Sequence, residues 1–227
     1  MYIAIEGVIG VGKTTLARML QHSFETELLL EVFEENPFLS DFYSDRARYA
    51  FQTQIFFLLS RYHQQRHVGP DILSHGRRLI SDYTFDKDTI FAQINLSGDV
   101  LEMYNKVHQA LAEKVSVPDL IVYLRADTAT LMNRIAMRDR PYERTMETAY
   151  IYELGEAYDA YFGSAALQPT HQSSPVLVID TNHLDFVNRA DDLRWIENRI
   201  RQALHLGSFQ VELPLDLDQG VQTQKEE

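Results

Sequence analysis

With 227 residues the chain is long enough to bury a full core, and it is read as one α/β domain over residues 1–210 rather than two. A formal net charge of −12 with no long basic run argues against a polyanionic nucleic-acid partner, while a small nucleotide in a local cationic pocket stays compatible. The absence of cysteine excludes a disulfide scaffold and a thiolate metal site, and no apolar run is long enough to span a bilayer, so a soluble cytoplasmic protein is expected.

Tyr2-Ile3-Ala4-Ile5 reads as a short buried strand. After it, Gly7-Val8-Ile9-Gly10-Val11-Gly12-Lys13-Thr14 has the pattern of a phosphate-binding loop, and Thr15 leads into a helix continuing through Leu20. The glycines let the backbone turn its N–H groups toward an anion at a helix N-terminus. Lys13 adds a mobile charge for the β/γ-phosphates and Thr14 a hydroxyl for magnesium. A glycine turn that merely joined strand to helix would not need the Lys-Thr pair in this order. Switch GTPases, transport ATPases and small-molecule kinases share the loop, so the acceptor has to be read from the rest of the chain.

Four further apolar runs read as buried strands, Leu28 to Val32, Arg78 to Asp82, Leu120 to Leu124 and Val176 to Asp180. Between them, Phe51, Ile55, Leu58, Leu59 and Tyr62 recur at helical spacing. So do Val100, Tyr104, Val107 and Leu111 after a Ser97-Gly98-Asp99 break. Those stripes read as core or subunit interface. Strands alternating with helices predict a parallel sheet covered on both faces, with ligands at the carboxyl ends of its strands.

Glu31, Asp82 and Asp180 close three of the runs. Such acids can be solvated strand ends or helix caps, but beside a phosphate loop Glu31 and Asp82 could divide proton acceptance and magnesium binding between them. Gln54 and Arg61 lie two helical turns apart on one face, placed either to read the polar edge of a base or to form a wet surface, with Gln52 a rival for Gln54. In the segment from Arg134 to Arg144, Arg134 and Arg138 share a helix face and Arg140 precedes a proline. The functional reading is an arginine-rich lid at about residues 134–146. The alternative is a basic helix end pairing with Asp139 and Glu143. Residues 211–227 mix polar and acidic residues without a period and read as a mobile C-terminal tail.

Taken in order, these residues resemble the deoxynucleoside kinase family, particularly its bacterial deoxyadenosine, deoxyguanosine and deoxycytidine kinases. The resemblance rests on the Gly7 to Thr15 loop, Glu31-Val32-Phe33-Glu34-Glu35-Asn36-Pro37-Phe38-Leu39 running into Phe42-Tyr43, the Phe51 to Arg61 helix, Ser81-Asp82-Tyr83 and the Arg134 to Glu143 segment. It implies a P-loop nucleoside/nucleotide kinase fold with a five-stranded parallel sheet, ATP as phosphoryl donor, Mg2+ and a homodimer.

Position by position, the resemblance implies that Glu31 lies by the deoxyribose 5′-hydroxyl as a possible base. Asp82 then matches the acid read as proton acceptor or magnesium contact. Tyr43 and Glu143 fall at the sugar 3′-hydroxyl, Gln54 at the base, and Arg61 with Asp88 at its exocyclic groups, while Phe85 and Phe91 are candidate apolar walls. Arg134, Arg138 and Arg140 match the lid, and the segment from Asp180 through Asp185 and Phe186 matches the one near the adenine of ATP. Tyr83 departs from the family pattern, which has arginine there, and Lys87 is placed to replace that charge.

The implied activity is ATP-dependent phosphorylation of a deoxynucleoside, with deoxyadenosine the first choice and deoxyguanosine or deoxycytidine next. A nucleoside monophosphate kinase would need extra cations for its acceptor's phosphate. A guanine-reading nucleotide switch would carry Asn-Lys-x-Asp, whereas Asp180-Thr181-Asn182-His183-Leu184-Asp185 lacks the lysine.

Overall fold

The computed structural model describes residues 1–33, 35–163 and 174–207. Strands β1 (Tyr2–Gly7), β2 (Thr26–Leu29), β3 (Arg78–Ser81), β4 (Leu120–Arg125) and β5 (Val176–Asp180) form one sheet in the order β2-β3-β1-β4-β5. Every neighbouring pair is parallel. Parallel neighbours cannot be joined by a tight turn, so each connection is a helical crossover. The helices are α1 (Lys13–Phe24), α2 (Leu39–Ser44), α3 (Arg46–Ser74), α4 (Lys87–Asn95), α5 (Gly98–Ala112), α6 (Thr128–Arg138), α7 (Thr148–Tyr158) and α8 (Ala190–Ala203). The fold is therefore the expected five-stranded parallel sheet flanked by helices. Among the described residues no helix is long and apolar enough to cross a membrane. The tail expected over 211–227 lies outside the described residues, as does Glu34 of the quoted motif.

Side chains alternate across the central strand and divide the core between the two faces of the sheet. Ile3 and Ile5 pack with Leu16, Leu20 and Phe24 of α1, whereas Tyr2 and Ala4 pack with Ile72 of α3, Leu79 and Tyr83. From β1 the chain runs to β2 and β3 on one side and then crosses to β4 on the other, so the strand order reverses beside β1. The loops after β1 and β3 open a crevice at that switch point.

Two expectations are corrected. The second strand ends at Leu29 rather than Val32, because β3 stops at Ser81 and the Asp82 carboxylate takes over the pairing, accepting from the Glu31 N–H at 2.8 Å. The apolar stripe of α3 is not its inward face as a whole. Leu58 is fully buried, but Leu59 is 50% exposed, and the enclosed positions include the polar Thr53, Gln54, Arg61 and Gln65 beside Ala50, Phe57, Leu58, Gly69 and Ile72. The helix turns polar groups inward because its inner side borders a polar cavity rather than plain core.

Candidate active site

The loop between β1 and α1 folds as it does because glycine alone fits. Gly7 sits at φ 144°, and a Cβ there would come 2.3 Å from the Leu124 carbonyl oxygen. Gly12, at φ 107°, immediately precedes α1 and packs so closely on Phe186 that a Cβ would lie 2.9 Å from its ring. The segment after β5 is thereby set against the loop. Lys13 curls back, donating to the carbonyls of Gly7 (2.7 Å) and Val8 (3.1 Å). Burial, then repulsion from Lys87, lowers the Lys13 ammonium to about 8 against the pull of Glu6, Glu31 and Asp82.

A cavity of about 100 Å³ faces this loop, lined by Lys13, Thr14, Glu31, Tyr43, Arg61, Asp82, Lys87, Arg138, Arg140 and Glu143 with Ile9, Gly10, Leu39, Phe33, Phe57, Phe91 and Tyr142. On the loop side, the Thr14 hydroxyl donates to Asp82 Oδ2, and Asp82 Oδ1 holds the Glu31 backbone. Opposite, Glu31 Oε1 accepts from Arg61 Nε (2.8 Å) and Nη2 (2.5 Å), and Oε2 accepts from Lys87 Nζ (2.5 Å). Burial alone would raise the Glu31 carboxyl, but Arg61 and Lys87 outweigh it and hold the group far below the usual carboxylate range. Lys87 reaches this acid from the first turn of α4, so a cation does stand by Glu31 although Tyr83 supplies none.

Two fully buried residues, Asp88 and Gln54, have unmet hydrogen-bonding capacity. Asp88 Oδ1 accepts from Arg61 Nη1, while Asp88 Oδ2 and Gln54 Oε1 have no hydrogen-bond partner. Buried acceptors without donors are expensive unless something supplies the donors. Burial raises the Asp88 carboxyl to about 6 against the charges of Arg61 and His108. Neither Gln54 nor Asp88 lines the cavity, but Asp88 bonds Arg61 and adjoins Lys87 in the chain, and both of those do.

The Arg134 to Glu143 segment takes its shape because Asp127 caps α6, accepting from the Thr130 N–H at 2.7 Å, and the helix stops at Asp139 in the left-handed region (φ 48°). A short 3-10 turn, Pro141–Glu143, then brings Glu143 back under Arg138. Their contact is bidentate, at 2.8 and 2.5 Å, with Arg140 3.7 Å from the same carboxylate and stacked 4.2 Å over Phe33. Tyr43 stacks on Tyr142 with ring centroids 6.3 Å apart. Tyr142, Phe33, Phe57 and Leu39 were not among the expected contacts. Tyr142 could have been found from its place two residues after Arg140.

Other expected site residues lie outside this cavity. Tyr83 turns to the opposite face of the sheet, its ring in the cluster with Tyr2, Ala4, Leu29, Ile72 and Leu79 and its hydroxyl donating to Gln64 Oε1 at 2.8 Å. The cause is strand parity, since Asp82 points into the cavity and its neighbour must point away. Arg134 does not reach the cavity but binds Val11 O (3.3 Å), Thr181 Oγ1 (3.0 Å) and Thr181 O (2.7 Å), tying the phosphate loop to the segment after β5. Asp185 is exposed, and its carboxylate accepts from Asn188 N–H at 3.1 Å. Phe85 lines a different cavity, of about 410 Å³, with no lysine or arginine among its described lining residues.

Comparison with known proteins identifies a family. The family model for deoxynucleoside kinase matches residues 3–205. The chain is 36% identical over 203 residues to a deoxyguanosine kinase of Bacillus subtilis, covering 89% of this chain and 97% of the relative. It is 33% identical over 192 residues to a deoxyadenosine kinase of Dictyostelium discoideum, covering 82% and 74% respectively. Among solved structures, deoxyadenosine kinase from M. mycoides with products dCMP and dCDP bound superposes with a TM-score of 0.75 at 25% identity, covering 89% of this chain and all of that one (100%).

Proposed function

The chain belongs to the deoxynucleoside kinase family, and from that premise we propose that it moves the γ-phosphoryl group of ATP to the 5′-hydroxyl of a purine deoxynucleoside. The observation that carries this reading is the division of one cavity into two chemically different walls. Lys13, Thr14 and Asp82 form the wall for phosphates, and Glu31, Tyr43, Arg61 and Glu143 form a wall for a neutral polyhydroxyl acceptor. An acceptor that already bore a phosphate would bring its charge against Glu31 and Glu143, while Arg61 and Lys87 on that wall are already held by a carboxylate.

In this reading the backbone of residues 7–13 and Lys13 hold the donor phosphates. Thr14 and Asp82 supply adjacent hard oxygen atoms that fit a magnesium ion, and that ion, when bound, neutralises phosphate charge. Glu31 accepts the proton of the 5′-hydroxyl. Its two cations keep it ionised and aimed, and a loose phosphoryl-transfer transition state asks little basicity of it. Tyr43 and Glu143 hold the 3′-hydroxyl. Admitting the sugar requires Glu143 to share its bonds with Arg138, which frees that arginine to cover the transferring group. Gln54 and Asp88 meet the base, whose N–H donors satisfy their orphaned acceptors. Deoxyadenosine is the first acceptor on that ground, and deoxyguanosine the second because the Bacillus subtilis relative carries that name.

The proposal includes a cytoplasmic enzyme, since free deoxynucleosides and ATP are solutes of that compartment. It also includes a homodimer through the outer sides of α3 and α5, where Leu59, Val100 and Met103 stand in solvent. Incubation of the purified chain with ATP, Mg2+ and each of the common deoxynucleosides, with nucleotide products separated by chromatography, tests the activity. Product from deoxyadenosine or deoxyguanosine is expected. Phosphorylation of deoxynucleoside monophosphates alone, or no product at all, would overturn the reading.

A further inference from the structure

Glu6 stands in β1 just before the phosphate loop and is wholly enclosed. An ionisable group at that depth needs partners, and this one has four donors. Oε1 accepts from the Thr84 backbone N–H (2.5 Å) and the Thr84 hydroxyl (2.9 Å), while Oε2 accepts from the Gly7 N–H (3.2 Å) and the Tyr158 hydroxyl (3.1 Å). A backbone N–H can only donate, and one falls on each oxygen, so the site suits a carboxylate and not an amide. Burial raises the Glu6 carboxyl, and the charges of Lys87 and Lys13 with the Thr84 bonds oppose that rise.

The ladder between β1 and β3 runs from Tyr2 opposite Leu79 to Ala4 opposite Ser81 and stops there. Beyond it the chain would be free to splay from β1, yet Thr84 is caught by the Glu6 side chain in place of a backbone carbonyl. The stretch pinned in this way carries Asp82, which holds the Thr14 hydroxyl and the Glu31 backbone. Three residues beyond Thr84 comes Lys87, which holds the Glu31 carboxylate.

We propose that Glu6 is a positioning residue for phosphoryl transfer, its carboxylate bridging Gly7 of the phosphate loop and Thr84 so that Asp82 and Lys87 stand in register with the donor and acceptor sides of the cavity. The role rests on the kinase reading and assigns it a residue that touches neither substrate. Misplacement of reacting groups by about 1 Å can cost roughly 10²-fold in rate, and a residue that touches no substrate acts through that positioning rather than through binding.

The test compares Glu6→Gln, Thr84→Val and Tyr158→Phe by steady-state kinetics, with thermal unfolding to confirm that each is folded. Glu6→Gln should lose roughly 10- to 100-fold in kcat with little change in KM for deoxynucleoside or ATP. Tyr158→Phe, which removes a donor that belongs to neither of the two segments Glu6 joins, should keep its kcat. If Glu6→Gln does not fold, Thr84→Val decides, with kcat reduced roughly 3- to 10-fold and KM unmoved. A folded Glu6→Gln variant that is merely less stable, with wild-type kcat, would overturn the role. So would a Thr84→Val variant indistinguishable from Tyr158→Phe. An inactive wild type would overturn the kinase reading and the role together, whereas an active wild type with an equally active Glu6→Gln overturns the role alone.

Discussion

Replacing Lys87 by methionine removes one of the two cations that hold Glu31 while keeping most of the side-chain volume. Both members of the pair are nearly enclosed, at 7% and 12% exposure, with Nζ 2.5 Å from Oε2. Removing one partner of a buried ion pair costs about 3–5 kcal/mol, and because Arg61 stays on Oε1 the loss of stability belongs at the lower end, about 3 kcal/mol. A hydrogen bond to a charged group contributes ~1.5–3 kcal/mol. If that whole amount is felt in the transition state, kcat falls roughly 10- to 150-fold. Urea unfolding measures the first quantity, and initial rates at saturating ATP and deoxynucleoside measure the second.

The same variant has a pH signature. Glu31 in the folded chain lies well below the ordinary carboxylate value, because Arg61 and Lys87 outweigh burial. Its contribution to stability is therefore fully present above the unfolded value of about 4.3 and is lost only as pH falls through the folded value. Without Lys87 the folded value moves up, and acid unfolding begins at higher pH. Lys87→Arg should recover much of both losses. An unchanged kcat in Lys87→Met alongside an inactive Arg138→Ala would refute the idea that Lys87 takes the part of the cation missing at Tyr83.

Other expectations follow from individual contacts. Arg138→Ala should lower kcat by roughly 10³-fold or more, the range of an arginine that meets transition-state charge. Initial-rate kinetics would show whether the loss is instead confined to KM. Gln54→Leu should cost no stability in the free chain, since its orphaned oxygen disappears, yet kcat/KM for the deoxynucleoside should drop roughly 10- to 100-fold, and equal losses in stability and activity would count against base recognition. Lys13, lowered to about 8 in the free chain, regains its proton beside phosphates, so binding ATP at pH 8.5 should be accompanied by net proton uptake. Calorimetry in buffers of different ionisation enthalpy reads that uptake, and identical heats would contradict it. Tyr83→Phe should lose about 1 kcal/mol with the Gln64 bond and leave KM unchanged, where a raised KM would return Tyr83 to the site.

The parts of the site legible in one dimension are those whose chemistry is local. Gly7, Gly12, Lys13 and Thr14 lie within a single strand, turn and helix start, so their spacing alone imposes the positive φ angles and the direction of the amides. Glu31 and Asp82 were visible as acids ending apolar runs, because ligands of a parallel sheet gather at strand carboxyl ends. Helical period placed Gln54 and Arg61 on one face correctly, but period carries no sign. Whether that face was wet or enclosed depended on what α4 set against it. Tyr83 was misplaced by a single step of strand alternation, a parity that the sequence does contain.

What only the tertiary structure decided are pairings between residues far apart in the chain. Arg134 and Arg138 share a helix face, and while the pairing of Arg138 with Glu143 is local, Arg134 reaches Thr181, 47 positions away. Glu6 meets Thr84 across 78 positions, and no feature around either residue names the other. Composition, period and glycine placement act through neighbouring dihedrals and can be read along the chain. A buried carboxylate acquires its role from whichever donors the closed fold brings to it, and those are set by the packing of the whole sheet.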